Sequence, residues 1–467
     1  MDIKTKIIAT IGPACDNKNT LEAMLDAGVN AFRLNMSHGD DATKRKLYSL
    51  VRSLKLSDGQ RPCILTDLAG PKIRITDVLP NFKLKVGQSI TITNENDADE
   101  NHIRVNSGIG FTDVFEGAQI LINDGRIKLQ VNDIISTYTL KCKTIIGGEI
   151  EPNKGVNFPG ITLDAPVLTD QDKIDLRGAL EMGADWIALS FVRSAKDMDN
   201  VLAIMDEAGV RRPIMAKIEK WEALKNIKDI TTSFDAVMVA RGDLGVEIPA
   251  EKVPLAQKQV IEVSATLGKP VVIATQMLES MVNSQTPTRA EVSDIANSIF
   301  DSVDAILLTG ETAIGQYPVE VISTLNRVIQ QTEKANDIKQ TTLQAEVSKT
   351  ADAISRAVCE ITHDLDINVV MTMTHSGSTA RMIARYRPLS KVYALTPFDH
   401  IMRQLQLVWG VTPIQVETYE NMETVPDICK KVIEKFQLIS KGNKFVITGG
   451  VPMGVPGTTN YVSVQTF

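Results

Sequence analysis

The stretch Pro213-Ile214-Met215-Ala216-Lys217-Ile218-Glu219 joins a short apolar run to a cation and an anion two residues apart. In an extended strand, residues i and i+2 project from the same face, so Lys217 and Glu219 should point together beyond the strand end. A surface ion pair would also explain an isolated Lys-x-Glu pattern, because such pairs are common and contribute little to stability. The neighbouring segments decide between that surface pair and a site for a phosphorylated, metal-bound ligand.

Counting this stretch, the same strand pattern occurs eight times along the chain. Each predicted strand is rich in Val, Ile, Ala and Leu and is followed by an amphipathic segment, which is typical of parallel strands covered on both faces. Eight such units favour an α/β fold with a closed (β/α)₈ TIM barrel over an open doubly wound sheet, and they place the chemistry at the C-terminal strand ends. The predicted strands are 6–11, 31–36, 63–68, 186–192, 214–219, 236–240, 271–276 and 305–309.

The repeat is interrupted between the third and fourth strands. Residues 71–166 alternate polar and apolar side chains, as in Ile127-Lys128-Leu129-Gln130-Val131, and Asp124-Gly125 is a hairpin-turn sequence. Gly70-Pro71 and Pro159-Gly160 mark the two joints. The pattern predicts a small β domain inserted in a loop of the catalytic face, where it could act as a lid; a passive decoration is the alternative.

A second α/β region follows the barrel. A polar stretch at 340–344 precedes strands predicted at 369–373, 392–395, 415–417, 445–448 and 461–464. The sequence therefore predicts three domains. They are a barrel of residues 1–70 and 167–337, an inserted β domain of residues 71–166, and an open α/β domain of residues 338–467.

Composition narrows the class of protein. The chain has 467 residues, of which 43% are hydrophobic, and its 50 basic and 57 acidic residues give a formal charge of −7. This charge gives no support to a nucleic-acid or membrane partner. The five cysteines are scattered without Cys-x-x-Cys spacing, which argues against a disulfide framework or a structural zinc site. No segment approaches a membrane span, and we expect a cytoplasmic protein.

Polar residues cluster at the predicted strand ends. Contact with solvent would explain polar residues at the end of one strand. Polar residues at the ends of so many strands on one face of the barrel indicate a binding site. Glu219 and Asp243 supply two carboxylates from neighbouring strands, a suitable pair for Mg²⁺. The surrounding cations Arg33, Arg74 and Lys217 suit phosphoryl groups. The strand-end groups are Arg33, Asn35 and Ser37; Asp67, Lys72 and Arg74; Lys217 and Glu219; Arg241 to Asp243; Thr275 and Gln276; and Thr309 to Thr312.

These motifs, in this order, resemble the pyruvate kinase family over the whole chain. The resemblance implies a TIM barrel, an inserted β-barrel lid and a C-terminal α/β regulatory domain. It implies phosphoryl transfer from phosphoenolpyruvate to ADP, giving pyruvate and ATP. The matching segments are 10–13, 33–39, 70–74, 154–157, 216–219, 241–247, 274–281 and 287–291.

The resemblance also implies roles for the strand-end residues. Glu219 and Asp243 would hold Mg²⁺ or Mn²⁺, and Lys217 would lie against the transferring phosphoryl group and the developing enolate. Arg33 would contact the phosphoryl group. The backbone amides of Gly242 and Asp243, together with Thr275, would bind the substrate carboxylate, and Thr275 would help the proton relay.

The resemblance implies that a second set of residues binds the nucleotide. Arg74 and Lys154, one at each joint of the insert, would grip the phosphates of ADP or ATP, and Asn35 and His38 would lie near the nucleotide. A lone His could equally have a structural role.

One departure from the common family pattern concerns K⁺. Many members read Asp-Thr-Lys-Gly-Pro-Glu where this chain reads Asp67-Leu68-Ala69-Gly70-Pro71-Lys72. Asn35, Ser37, Asp67 and Leu68 remain as a monovalent-cation pocket, but Lys72 replaces a Glu. An ammonium supplies the charge that K⁺ would bring, so the hypothesis is that turnover does not require K⁺.

The C-terminal domain holds a second predicted phosphate site. In relatives, the loop that matches Thr374-His375-Ser376-Gly377-Ser378-Thr379 binds the phosphate of an activating sugar phosphate, and a late loop resembling 454–460 closes over it. The alternative is an ordinary helix N-cap with Ser378 and Thr379 in the first turn.

Two other functions stay open at this point. A catalytically silent sugar-phosphate sensor would not need the full set of strand-end residues, and an aldolase-type lyase would not need a second phosphate grip at Arg74 and Lys154. The resemblance further implies a homotetramer.

Overall fold

The computed structural model describes residues 3–55, 59–78, 82–95, 102–106, 110–163, 165–335, 349–419, 421, 423–453, 455 and 457–467. The polar stretch at 340–344 and part of the late loop at 454–460 lie outside these residues. The first part of the chain alternates strands and helices: β1 (Lys6–Thr10), α1 (Lys18–Asp26), β2 (Ala31–Asn35), α2 (Asp41–Ser53) and β3 (Cys63–Asp67).

In the described part of the chain, nine short strands follow, and they form the inserted β domain. Seven pair in the order β12-β8-β9-β10-β6-β7-β4, and a bridge between Arg74 and Gly155 joins the two edges into a nearly closed sheet. The predicted turn at Asp124-Gly125 connects β8 to β9. The strands are β4 (Ile75–Asp77), β5 (Lys83–Leu84), β6 (Ser89–Thr93), β7 (His102–Val105), β8 (Gln119–Ile122), β9 (Ile127–Ser136), β10 (Thr139–Ile146), β11 (Gly148–Glu149) and β12 (Val156–Asn157).

The chain then returns to the barrel, which closes in the order β1-β17-β16-β15-β14-β13-β3-β2. All eight of these strands are parallel, so the predicted TIM barrel is confirmed. This part contains α3 (Asp170–Glu181), β13 (Trp186–Leu189), α4 (Asp197–Glu207), β14 (Ile214–Ile218), α5 (Trp221–Lys225), α6 (Ile227–Ser233), β15 (Ala236–Ala240), α7 (Arg241–Glu247), α8 (Val253–Leu267), β16 (Val271–Ala274), α9 (Arg289–Phe300), β17 (Ala305–Leu308), α10 (Gly310–Ala313) and α11 (Pro318–Ala335).

The described residues of the C-terminal domain form one five-stranded sheet and four helices. The sheet order is β20-β19-β18-β21-β22, with only β22 antiparallel to its neighbour. The elements are α12 (Thr350–Asp364), β18 (Val369–Met373), α13 (Ser378–Ala384), β19 (Lys391–Thr396), α14 (Asp399–Leu405), β20 (Val411–Gln415), α15 (Val425–Phe436), β21 (Lys444–Gly450) and β22 (Thr459–Thr466).

The strand predicted at 415–417 is wrong, because β20 ends at Gln415. The segment Val411-Thr412-Pro413-Ile414-Gln415 contains a proline, which argues against a central strand. β20 is an edge strand, so the missing N–H of Pro413 breaks no interior ladder.

The barrel has a packed interior and a packed outer layer. Inward-facing residues such as Ile8, Met215 and Met238 are fully or almost fully buried, and a larger apolar layer lies between strands and helices. At the N-terminal strand ends, Trp186 Nε1 donates to the carbonyl of Gln404 at 3.1 Å, and Arg403 Nε lies 2.8 Å from Asp185 Oδ1. The C-terminal domain therefore covers the base of the barrel and leaves the opposite end free for a site.

The three-domain division stays a proposal. Its boundary between residues 337 and 338 falls within residues 336–348, outside the described part of the chain. In the described ranges, no helix combines the length and the apolar character needed to cross a bilayer.

Candidate active site

The C-terminal ends of the barrel strands bring together the side chains that the sequence singled out. Lys217 lies near the end of β14, with its side chain 11% exposed, and makes three polar contacts. Its Nζ lies 2.9 Å from Glu219 Oε1, 3.1 Å from Asp67 Oδ1 and 2.7 Å from Ser190 Oγ. Lys217 and Glu219 are thus a buried pair and not a solvated one.

Asp67, the last residue of β3, links two cations. Its Oδ2 accepts from Arg33 Nε at 2.6 Å while its Oδ1 faces Lys217. Burial alone would raise the pKa of Asp67, but Lys217 and Arg33 outweigh burial, and the pKa is lowered. Asp67 therefore stays ionised and fixes both cations at one side of the site.

Burial and neighbouring charges have opposing effects on the pKa values of Lys217 and Glu219. Desolvation would lower the pKa of Lys217, yet the carboxylates of Asp67 and Glu219 raise it above the usual lysine range. Burial raises the pKa of Glu219 and the nearby charge of Asp243 adds to this, although Lys217 opposes it. Glu219 Oε2 accepts from the backbone N–H of Phe191 at 2.8 Å. The site holds carboxylate charge that a further cation would stabilise.

Two carboxylates are available for a divalent metal. Asp243 Oδ1 lies 2.6 Å from Lys72 Nζ, and its charge acts on Glu219. Within the described ranges, no group of three or more His, Cys, Asp or Glu is arranged to hold a metal ion. Two hard oxygen donors fit Mg²⁺, which commonly binds one or two protein carboxylates and completes its shell with substrate oxygens and water.

Thr275 follows β16 and faces the start of α7. Its Oγ1 accepts from the N–H of Gly242 at 2.8 Å and donates to the carbonyl of Ala274 at 2.6 Å. A Cβ on Gly242 would lie 3.4 Å from Thr275 Oγ1, so a side chain at residue 242 would crowd the space in front of the hydroxyl. The structure thus brings Gly242, Asp243 and Thr275 to one edge of the site.

A cavity of about 600 Å³ opens beside Arg33. Arg33, Asn35 and His38 line it, and its walls include the apolar residues Pro13 and Ile314. Arg33 Nη1 also donates to Thr10 Oγ1 at 3.0 Å, which orients the guanidinium in the cavity wall. A wall with a guanidinium and apolar side chains suits a ligand with phosphates and a flat ring.

Arg74 and Lys154 lie in the insert, at the joint to the barrel. Arg74 Nη1 donates to the carbonyl of Asn153 at 3.0 Å, and Lys154 Nζ lies 3.0 Å from Glu151 Oε2. We call Lys217 and its partners Asp67, Glu219 and Ser190 the Lys217 cluster. The described contacts do not join the side chain of Arg74 or Lys154 to this cluster. Lys72 lies closer to that cluster, and a Cβ on Gly155 would be 3.2 Å from its Cε.

Three of the four groups of the predicted monovalent-cation pocket, those of Asn35, Asp67 and Leu68, already have partners. Asn35 Oδ1 accepts from the N–H of Ser37 at 3.1 Å, and the carbonyl of Leu68 accepts from Ser190 Oγ at 2.7 Å. Both oxygens of Asp67 contact cationic side chains. The structure places Lys72 against Asp243 and not against Asp67.

The sequence analysis missed Ser190 and the backbone of Phe191. Both lie directly after β13, which ends at Leu189, whereas the predicted strand continued to Val192. Phe191 has φ of 56°, and a Cβ on Gly70 would lie 2.7 Å from its ring, so the two residues are packed closely at the joint of the insert. A polar Ser at the end of an otherwise apolar run was the available signal.

In the C-terminal domain, the loop 374–379 lines a small cavity with residues 450–459 of the described part. Thr374 Oγ1 accepts from the N–H of Gly377 at 2.8 Å, and the hydroxyls of Thr379 and Thr459 lie 2.8 Å apart. The ring of His375 lies 5.0 Å from that of Tyr419. Burial lowers the pKa of His375.

Comparisons with known proteins agree with this arrangement. The family model "Pyruvate kinase, barrel domain" matches residues 3–322, and "Pyruvate kinase, alpha/beta domain" matches residues 352–465. "Pyruvate kinase 2" of Synechocystis sp. is 42% identical over 469 residues, covering 99% of this chain and 79% of that protein. "Pyruvate kinase" of Agrobacterium vitis is 40% identical over 468 residues, covering 99% and 96%.

Among solved structures, the chain is similar to a crystal structure of a pyruvate kinase from Cryptosporidium parvum. The TM-score is 0.93 and the sequence identity 32%, with 100% of this chain and 96% of the other covered. The chain belongs to the pyruvate kinase family of phosphotransferases.

Proposed function

We propose that the chain transfers the phosphoryl group of phosphoenolpyruvate to ADP at the Lys217 cluster, with Mg²⁺ or Mn²⁺ held by Glu219 and Asp243. The buried contact of Lys217 with Asp67 and Glu219 carries this proposal, because it fixes a cation beside Glu219, one of the two proposed metal ligands. The bound divalent ion would neutralise charge on the substrate oxygens.

Lys217 and Arg33 would act on the phosphoryl group. Asp67 holds both cations in place, so their charge needs little reorganisation when the phosphoryl group moves. The Lys217 ammonium would stabilise the charge that develops on the enolate oxygen. One such charge at ~4 Å, with an effective dielectric constant of ~20, contributes about 4 kcal/mol.

Gly242, Asp243 and Thr275 would bind the other end of the substrate. The N–H of Gly242, which points at Thr275 Oγ1, would share its donor with the substrate carboxylate. The Thr275 hydroxyl donates to the Ala274 carbonyl in this structure and would rotate away from it toward the bound substrate. It would then give its proton to the methylene carbon of the enolate, forming the methyl group of pyruvate, and regain a proton from water. A positioned acid of this kind contributes roughly 10²- to 10⁴-fold to a rate.

The nucleotide would occupy the 600 Å³ cavity, with its phosphates toward Arg33 and Asn35 and its base near His38. Arg74 and Lys154 would contact those phosphates after the insert closes as a lid.

An assay coupled to lactate dehydrogenase tests the proposed reaction. With phosphoenolpyruvate, ADP and Mg²⁺, we expect pyruvate to form together with an equal amount of ATP. A sugar-phosphate sensor would form neither product, and a lyase would form pyruvate without ATP. Either result would contradict the proposal.

K⁺ should not be required for turnover. Three of the four groups that would bind K⁺, those of Asn35, Asp67 and Leu68, already contact protein donors, and Lys72 places an ammonium 2.6 Å from Asp243. With tetramethylammonium as the only bulk monovalent cation, adding K⁺ should leave kcat unchanged. Lys72→Glu should create K⁺ activation, and strong activation of the unmodified protein by K⁺ would contradict the hypothesis.

We further propose that the loop 374–379 binds a sugar phosphate that activates the enzyme. No Lys or Arg lines the described part of this cavity, so hydroxyls and backbone N–H groups would bind one phosphate, and a second phosphate would find no cationic partner. Sugar monophosphates should therefore shift the saturation curve for phosphoenolpyruvate at least as strongly as bisphosphates. No shift with any member of such a panel would favour the ordinary N-cap.

The pH dependence of this activation follows from His375. Because burial lowers its pKa, His375 is neutral at pH 7.5 and gains a positive charge only as the pH falls below the usual histidine range. The activation constant of the unmodified protein, relative to that of His375→Gln, should fall as the pH is lowered below the usual histidine range. An unchanged ratio would show that His375 does not face the bound phosphate.

The homotetramer stays a prediction from the family resemblance, and the cytoplasmic location stays a prediction from the sequence pattern.

A further inference from the structure

The turn after β16 has an unusual backbone. Thr275 and Gln276 are consecutive non-glycine residues with φ of 69° and 57°. The left-handed region is disfavoured for side chains, most of all for a β-branched residue such as Thr. Each such residue is strained and persists only where surrounding contacts enforce it.

One side chain supplies most of those contacts. Arg241 Nη2 donates to the carbonyls of Thr275 at 2.8 Å and Gln276 at 3.2 Å, and its Nε lies 3.3 Å from the same Thr275 carbonyl. Its Nη2 also lies 2.8 Å from Met277 Sδ. The guanidinium therefore contacts three successive residues of the strained turn.

The guanidinium is itself anchored. Arg241 Nη1 lies 2.6 Å from Asp294 Oδ2 on α9, and the Arg241 side chain is only 10% exposed. The next residue, Gly242, donates its N–H to Thr275 Oγ1. Two neighbouring residues at the start of α7 thus hold the backbone and the hydroxyl of Thr275.

We propose that Arg241, anchored by Asp294, is a positioning residue that holds the 275–277 turn in its left-handed form and so aims the Thr275 hydroxyl at the methylene carbon of the enolate. This rests on the proton-donating role proposed above for Thr275. In this proposal Arg241 acts through its contacts with the backbone of the turn. A lysine could not replace it fully, because the turn is held by several donors of one planar group.

Separate measurement of the two chemical steps tests this. Exchange of the pyruvate methyl protons with D₂O, followed by ¹H NMR with Mg²⁺ and ATP present, reports proton transfer. ATP formation from phosphoenolpyruvate and ADP, coupled to hexokinase, reports phosphoryl transfer. The variants are Arg241→Met, Arg241→Lys, Asp294→Asn and, as the reference, Thr275→Ala.

We expect Arg241→Met to slow methyl exchange by about 10²-fold, as a misplaced reacting group does, and to slow phosphoryl transfer much less. The KM for phosphoenolpyruvate should change little. Asp294→Asn should give a smaller loss in the same step, and added guanidinium ion should partly restore exchange in Arg241→Met. The double variant with Thr275→Ala should be no slower in exchange than Thr275→Ala alone.

The outcomes separate the two hypotheses. If Thr275→Ala exchanges at the normal rate, the proposed role of Thr275 fails. If Thr275→Ala is slow but Arg241→Met is not, the positioning role fails. Full activity of Arg241→Lys would show that charge alone matters and would also overturn the proposal. Arg177→Met, which breaks an exposed Arg–Glu pair of 2.8 Å, is the matched control and should exchange normally.

A folding defect would appear differently. Loss of the thermal unfolding transition or equal losses in both steps with Arg241→Met would indicate a structural role. Asp294→Asn then distinguishes a structural from a positioning role of Arg241. It leaves Arg241 in place and replaces Asp294 by a nearly isosteric side chain, while it weakens the contact that anchors the guanidinium. A normal exchange rate in that variant, with Arg241→Met unfolded, would contradict the positioning role.

Discussion

Replacing Lys217 by Met is expected to lower kcat by about three orders of magnitude, measured with saturating phosphoenolpyruvate, ADP and Mg²⁺. The reason is the loss of about 4 kcal/mol of charge stabilisation at the transferring phosphoryl group and the enolate oxygen. Because Asp67 keeps its contact with Arg33, only part of the local charge balance is lost. The effect should fall mainly on kcat, since the stabilised charge develops in the transition state.

Two further variants make this result interpretable. Lys217→Arg keeps a buried cation and should retain more stability than Lys217→Met, so a comparison of their thermal unfolding separates folding from catalysis. Lys228→Met, at an exposed lysine of α6, should leave kcat unchanged. If folded Lys217→Met lost less than about tenfold in kcat, the assignment of Lys217 to the transferring group would be wrong.

Glu219→Gln is expected to weaken binding of the divalent ion and to reduce kcat by about two orders of magnitude or more. The variant removes the charge of the more buried carboxylate, which carries the negative charge that a metal ion would neutralise. Titration with Mn²⁺, followed by electron paramagnetic resonance, measures binding without relying on turnover. The N–H of Phe191 retains an acceptor in the Gln side-chain oxygen, so the fold should survive.

The matched control for this prediction is Glu262→Gln, at an exposed residue of α8. It should bind Mn²⁺ as the unmodified protein does. If Glu219→Gln also bound Mn²⁺ normally while kcat fell, Glu219 would act on Lys217 and not on the metal. Asp243→Asn would then show whether the second carboxylate binds the ion alone.

Much of the fold follows from local patterns in the sequence. Eight apolar runs with helical segments between them predict the barrel, because parallel strands buried on both faces need continuous apolar side chains. The alternating residues of Ile127 to Val131 predict a sheet with one buried face in the insert. The same reasoning failed at β20, since Pro413 conceals an edge strand from any local pattern.

The sequence likewise predicts only some residues of the candidate site. Residue types and strand-end positions alone indicate Lys217, Glu219 and Asp243, because a strand's period of two and the polarity of a barrel fix their common face. They do not reveal Ser190 or the N–H of Phe191, which contact Lys217 and Glu219 from the next strand. They also give no role to Arg241, whose partners lie 34 to 53 residues away along the chain.

The sequence by itself determines that this chain forms a barrel with two carboxylates and several cations at one end. The tertiary structure alone decides that Lys217 is shared by Asp67 and Glu219, that Lys72 contacts Asp243, and that Arg241 holds the turn of Thr275. The physical reason is that periodicity and propensity act within one element. The charge balance of a buried group and the strain of a turn depend on side chains that only barrel closure brings within hydrogen-bonding distance.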